Sequence, residues 1–322
     1  MALRIDKELL KRFEEGVDPA HPEKSVIPAR ILGYGEISTV FELGHEGQEG
    51  IAYKRMPIFD QQQQVEHYTG IYHEYNELLL NIGIDVPEYG SASIMTDRRD
   101  IVFFVVQQKL MPESLGNKII HSVPDDMVLQ LVLQVLRNLK KVWDFNGTGT
   151  GIKIGIDGQI SNWAVKNFDC GNPAITDQTG LFYIDTSTPL IRKQGVEMLE
   201  PELLLKSTPS FLRWMVKWFF LQEVLDRYYD FRLVVMDLIA NFYKEGRKDI
   251  VPGLIGLANR FFDEEANRHT IKPIEFKEVA DYYKNDAFIW TLFQKLRRFD
   301  RFLKTKVFMG RYPYILPEYI KR

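Results

Sequence analysis

Gly33 and Gly35, in Ile31-Leu32-Gly33-Tyr34-Gly35-Glu36-Ile37-Ser38-Thr39-Val40, stand between two strand-like runs. Glycine lets the backbone come close to phosphate oxygens and aim N–H groups at them, which a Cβ would hinder. A tight hairpin with two convenient glycines accounts for the pattern equally well. A dinucleotide-binding fingerprint does not, because a strand-like run follows these glycines where that fingerprint requires a helix. Lys54 ends the apolar run Ile51-Ala52-Tyr53; it is either a cation held at a cleft or the solvent face of a strand. The third stretch is Ile156-Asp157-Gly158-Gln159-Ile160-Ser161-Asn162-Trp163-Ala164-Val165, followed after a turn by Leu181-Phe182-Tyr183-Ile184-Asp185-Thr186. It sets the oxygen-bearing side chains of Asp157, Asn162 and Asp185 against apolar runs. Separately, Asp157-Gly158 is a favoured hairpin pair, Asn162 a loop cap and Asp185 a strand-end turn former.

The elements that must position these residues are legible in the hydrophobic pattern. Short β-type runs cover Ala29–Leu32, Thr39–Leu43, Gly50–Arg55, Tyr89–Ile94 and Ile101–Gln108. One helix interrupts them over roughly Gln64–Asn81, where Tyr68, Tyr72, Tyr75 and Leu79 recur at helical period before the Gly83 and Pro87 breakers. Beyond Met111-Pro112 the character changes. Asp125–Trp143 reads as a long amphipathic helix with an acidic first turn, and most of Glu200–Leu303 is helical in pattern. Strands first and helices after predict an α+β fold rather than a doubly wound sheet. The boundary falls at Leu110–Ser114, dividing a strand-rich 1–111 from a helical 112–322.

Taken in order, these parts resemble the protein-kinase-like superfamily. They are closer to its small-molecule branch, the aminoglycoside phosphotransferases and choline kinases, than to its protein kinases. Asp157 and Asn162 stand in the D-x-x-x-x-N relation of the family's catalytic loop, and Ile184-Asp185 matches its strand-ending metal aspartate. Glu74 to Pro87, E-Y-N-E-L-L-L-N-I-G-I-D-V-P, resembles the branch's helix and V-P exit; the likeness spans Ala29 to Pro189. It implies a two-lobed fold that holds ATP and Mg²⁺ and transfers phosphate to a hydroxyl of a small molecule. Asp157 would then accept the hydroxyl proton, while Asn162 and Asp185 would ligate the metal. Gly33, Gly35, Ser38, Lys54, Glu74 and Gln108 would hold the nucleotide, with Glu74, or next Glu77, bracing Lys54.

The chain departs from the family at Gly155, where histidine is usual, at Ile156, where protein kinases carry arginine, and at Gln159, where lysine or histidine assists the γ-phosphate. Thr186-Ser187 replaces Phe-Gly. These positions motivate a second reading, a kinase-like protein that binds nucleotide or a partner without transferring phosphate; a protein kinase is a third. Glu200-Pro201-Glu202 reads as ordinary helix-start chemistry.

Composition narrows the rest. A net charge of -3 over 322 residues gives no global reason to expect nucleic acid or anionic membrane as partner, so any basic patch is local. The single cysteine, Cys170, excludes an internal disulfide and suits a reducing cytoplasm. MALRIDKELLKRFEEG lacks the apolar run of a signal peptide. Phe211–Leu225 is broken by Arg213, Lys217 and Glu223, which predicts a core helix rather than a membrane span. Trp214, Trp218, Phe219, Tyr228 and Tyr229 read as core in preference to a cation or sugar pocket. The six histidines have no ligand spacing, and there is no G-x-S-x-G elbow.

Overall fold

A computed structural model describes residues 3–35, 38–206, 225–266, 271–307, 309–310 and 312–316. The predicted Phe211–Leu225 helix, with Trp214, Trp218 and Phe219, lies outside these residues except for Leu225, which is buried. The fold is α+β, an antiparallel N-terminal sheet followed by a helical region.

Helix α1 (Lys7–Gly16) starts on an Asp6 cap that accepts the Leu9 N–H at 2.9 Å, and it buries Leu9, Leu10 and Phe13. Five strands follow: β1 (Ala29–Tyr34), β2 (Thr39–Leu43), β3 (Ile51–Phe59), β4 (Tyr89–Met95) and β5 (Ile101–Gln108), in spatial order β1-β2-β3-β5-β4. β5 lies inside the sheet and is apolar on both faces. Its even residues Val102, Phe104 and Val106 pack with α1, while Phe103 and Val105 face the other side. That second face receives α2 (Gln62–Asn81) through Tyr68 and Tyr72. The helix ends at Gly83, whose φ of 80° needs a residue without Cβ.

β3 runs four residues past the predicted Arg55. Its pairing with β5 resumes beyond an irregularity, matching Phe59 to Ile101, so apolar residues continue to find partners.

After the one-turn α3 (Gly116–Ile119), helix α4 (Asp125–Asn146) opens on two aspartates, which complement the positive helix end. Three short ladders then carry the residues of interest. β6 (Ile152–Ile154) pairs with β9 (Ile191–Lys193), β9 with β10 (Val196–Glu197), and β7 (Trp163–Val165) with β8 (Leu181–Tyr183). α5 (Pro201–Leu205) begins on the predicted proline. α6 (Phe231–Lys244), capped by Asp230, and α7 (Val251–Glu264) pack with α4 in the largest core cluster. α8 (Phe276–Phe302), opened by a Glu275/Glu278 capping box, lies on α6.

The chain then returns to the N-terminal sheet. Tyr312, Tyr314 and Leu316 join Met56, Phe59 and Tyr68 in one buried cluster. Arg55 donates to the Pro313 carbonyl at 2.6 Å and holds Glu14 of α1 in a buried bidentate pair, while the Thr39 hydroxyl donates to the Ile315 carbonyl at 3.2 Å. Thr39 and Arg55 are register partners at the root of the glycine hairpin. The N-terminal helix, the sheet and the returning segment are thus tied at one point beside Lys54.

Candidate active site

The β7–β8 hairpin sets the geometry. Trp163 pairs with Tyr183, both fully buried, and the next bond outward runs from the Ile184 N–H to the Asn162 carbonyl at 2.9 Å. Asn162 and Asp185 therefore sit side by side at one end of the hairpin. Upstream, the Gln159 N–H donates to Asp157 Oδ1 at 3.1 Å, and Asn162 Nδ2 donates to the Asp157 carbonyl at 3.3 Å. That contact uses the amide nitrogen of Asn162 and leaves its oxygen to other partners. Gly158 permits the tight bend, since a Cβ there would lie 2.7 Å from Val234 Cγ1 on α6.

Lys54 reaches this end from β3. Its Nζ donates to Asp185 Oδ1 at 2.7 Å, and the Ser187 hydroxyl donates to the same oxygen at 3.0 Å. In the glycine hairpin, the Gly35 N–H donates to the Ser38 carbonyl at 3.0 Å. A Cβ on Gly35 would meet Ser38 Oγ at 2.7 Å and Lys54 Cε at 3.8 Å, so Gly35 lies against the lysine side chain. Gly33 lies at the β1 register shift in open space. Buried Ser38 Oγ has no hydrogen-bond partner among the described residues, and such a group normally has one.

The three aspartates here experience different fields. Burial would push Asp185 up, but the Lys54 ammonium and the Ser187 hydroxyl and backbone N–H outweigh it and hold the carboxyl below its usual range. Asp157 goes the other way. Burial first, then the negative charges of Asp237 and Asp185, raise it to about 7 against the opposing Gln159 N–H and Arg227. Asp237, on α6, is also raised, chiefly by burial; Arg227 and the Tyr282 hydroxyl at 2.8 Å counter that rise.

Not every candidate converges. Glu74 pairs with Lys193 of β9 at 2.7 Å, and Lys54 is satisfied by Asp185, so neither Glu74 nor Glu77 braces the lysine here. Gln108 pairs with Ile51 and faces away from Lys54, its side chain exposed and its N–H given to the Glu88 carbonyl. Its neighbour Gln107 shares a face with Val105, the register partner of Lys54, and donates to the Thr186 hydroxyl at 3.2 Å. Given the register of β3 with β5, strand alternation puts Gln107 and not Gln108 on the Lys54 face.

Asp237, Arg227 and Tyr282 were also missed. A lone carboxylate inside Phe231-Arg232-Leu233-Val234-Val235-Met236-Asp237-Leu238-Ile239 was the available signal, because burying a charge is costly without partners. Tyr229 packs its ring 3.0 Å from where a Gly155 Cβ would stand, taking the space of a side chain there. Ile156 is fully buried, and Gln159 Oε1 accepts from Asn241 at 3.2 Å.

A model described as "Family of unknown function (DUF6206)" matches residues 20–301. The chain belongs to the DUF6206 family. A search of curated proteins finds no match. Among solved structures, "WaaP in complex with acyl carrier protein" is similar at 13% identity and a TM-score of 0.32, over 83% of this chain and 99% of that one. In this DUF6206 chain a polar hollow of about 430 Å³ lies in the excursion between β7 and β8, lined by Lys166, Asp169 and Thr179. It occupies the opposite end of the hairpin from the candidate residues Asn162 and Asp185.

Proposed function

We propose that this protein has a two-lobed kinase-like fold and is an ATP- and Mg²⁺-dependent phosphotransferase acting on a hydroxyl of a small molecule. The observation that carries the reading is the meeting of Lys54 and Asp185 at 2.7 Å, under the glycine hairpin and beside Asp157 and Asn162. The donor set suits magnesium. It offers a carboxylate held ionised and an amide oxygen, both hard oxygen ligands, and among the described residues no group of three or more His, Cys, Asp or Glu gathers as a metal cage. A magnesium ion takes few protein oxygens and keeps waters and substrate phosphates for the rest. When bound, it would neutralise charge on the β- and γ-phosphates.

The protein's own residues have separate tasks in this reading. Gly35 and Ser38 cover the phosphates, and the Ser38 hydroxyl, which has no partner among the described residues, donates to one. Lys54 exchanges part of its contact with Asp185 for a phosphate oxygen. Asp157, raised to about 7 in the absence of ligands, accepts the acceptor's hydroxyl proton as the oxygen attacks phosphorus, and Asn162 holds the loop that presents it. Asp157→Asn should abolish acceptor-dependent ADP release while sparing nucleotide binding. Unchanged turnover would refute the assignment.

A second reading is a kinase-like protein that binds nucleotide without transferring phosphate. It is favoured by the way Gly155 is walled in by Tyr229, Gln159 is engaged by Asn241, and Glu74 is committed to Lys193. ATP consumption that depends on an added acceptor would dispose of it.

A further inference from the structure

Helix α8 is long for what it buries. Of its 27 residues only Val279, Arg297 and Asp300 are buried. Its outward stripe, Phe288, Leu292, Lys295, Phe299 and Phe302, follows at three- and four-residue steps, with Ile289 beside it and Lys306 four residues beyond. Phe288 is 69% exposed, Ile289 59%, Leu292 46% and Phe302 54%. An exposed apolar run of this kind marks a surface made to meet something.

The charge on the same stretch says what. Between Ala287 and Met309 the sequence carries six lysines and arginines against one carboxylate, Asp300; Arg297 is buried, and Lys295, Arg301 and Lys306 are the exposed ones. Asp300 is buried and paired with Lys304 at 3.0 Å, so it does not offset the outward cations. The chain as a whole is negative, at -3; the basic patch is therefore local to this helix. A second copy laid face to face on the stripe would bring two faces of the same positive charge together. Anionic headgroups complement the cations and accept the aromatic and aliphatic side chains below them.

We propose that the outward face of α8 is a docking surface for an anionic lipid bilayer, with the helix lying in the plane of the interface. From Phe288 to Phe302 the face is about 21 Å long at 1.5 Å per residue, and Lys306 follows in the π-helical turn Leu303–Val307. Phe288, Leu292 and Phe302 enter the boundary between headgroups and acyl chains, and Lys295 and Lys306 bind headgroup phosphates. No described helix is long and apolar enough to cross a membrane, so the contact is peripheral. Electrostatics supply a large part of it, and added salt therefore reverses it.

The test is co-sedimentation of the full chain with vesicles of phosphatidylcholine alone, or with one-third phosphatidylglycerol, in 0.1 M and 0.5 M NaCl. No nucleotide is present, so the outcome is independent of the phosphotransferase reading. Binding is expected only to the anionic vesicles and mainly at low salt. Each cation near such a surface is worth about fivefold in partition, so Lys295→Glu/Lys306→Glu should lower it by at least about 25-fold. The Phe288→Ser/Leu292→Ser/Phe302→Ser variant should lose binding with an unchanged melting midpoint; if it fails to fold, the charge variant still decides. Absence of binding by the parent chain, or equal binding by the charge variant, would overturn the proposal. So would a stable dimer, measured by light scattering, that the apolar variant dissociates, because a second copy would then occupy the stripe.

Discussion

Gly155→Ala tests how this chain fills the space beside its candidate catalytic loop. The added Cβ would stand 3.0 Å from Leu190 Cβ and 3.0 and 3.1 Å from the Tyr229 ring. Neither neighbour yields easily. Leu190 is buried, the Tyr229 hydroxyl donates to Glu197 at 2.9 Å, and the Arg192 guanidinium lies 4.0 Å above the ring centroid. Forcing a methyl into such packing costs about 1–3 kcal/mol. Replacing glycine returns about 0.4–1 kcal/mol by restricting the unfolded chain. The expected net loss is about 1–2 kcal/mol, read as a lower urea midpoint with unchanged slope. Tyr229→Ala opens the space, so the Gly155→Ala/Tyr229→Ala double variant should fall short of additivity by a similar amount. A Gly155→Ala change within about 0.5 kcal/mol of the parent, or strict additivity, would refute the claim that Tyr229 occupies the volume of the missing side chain.

Glu14→Gln should destabilise the protein by about 3–5 kcal/mol, since it strands a buried arginine, whereas Glu14→Leu/Arg55→Met should cost less; thermal melts compare them. Tyr314→Ala should lower stability by about 2–4 kcal/mol and weaken nucleotide binding as well, because the segment it anchors holds Thr39 at the root of the hairpin. Asp237 is raised above its ordinary range, so the folded state keeps its proton where the unfolded chain has lost it. Its contribution to stability is complete below pH about 4 and declines as pH rises through the folded value, by up to about 1.4 kcal/mol per unit. Asp237→Asn should flatten that slope above pH about 4.

The order of elements was legible because the hydrophobic period changes from two to 3.6 near Met111, and the β5 run Ile101–Gln108 and the α2 tyrosines were placed within two residues. Asp157, Asn162, Asp185 and Lys54 were legible from residue type and order, and the structure gathers them at one end of the β7–β8 hairpin. The rest depended on contacts that sequence does not carry. Glu74 has its partner 119 residues away on β9. Gln107 and not Gln108 shares the face of Lys54 because the face of a strand follows from its register with β3, which no local pattern gives. Asp237 reaches the site from α6, and only the packing of that helix beneath Gly158 makes its charge matter to Asp157.

The most direct measurement is the thermal midpoint of the purified chain with ATP plus Mg²⁺, with ATP plus EDTA, and with neither, for the parent and for Lys54→Met and Asp185→Asn. A ligand at about 100 times its Kd stabilises the native state by about 2.7 kcal/mol. A rise of several degrees is expected that requires Mg²⁺ and disappears in both variants. The same midpoint in all three conditions at millimolar nucleotide would contradict a nucleotide site built on Lys54 and Asp185.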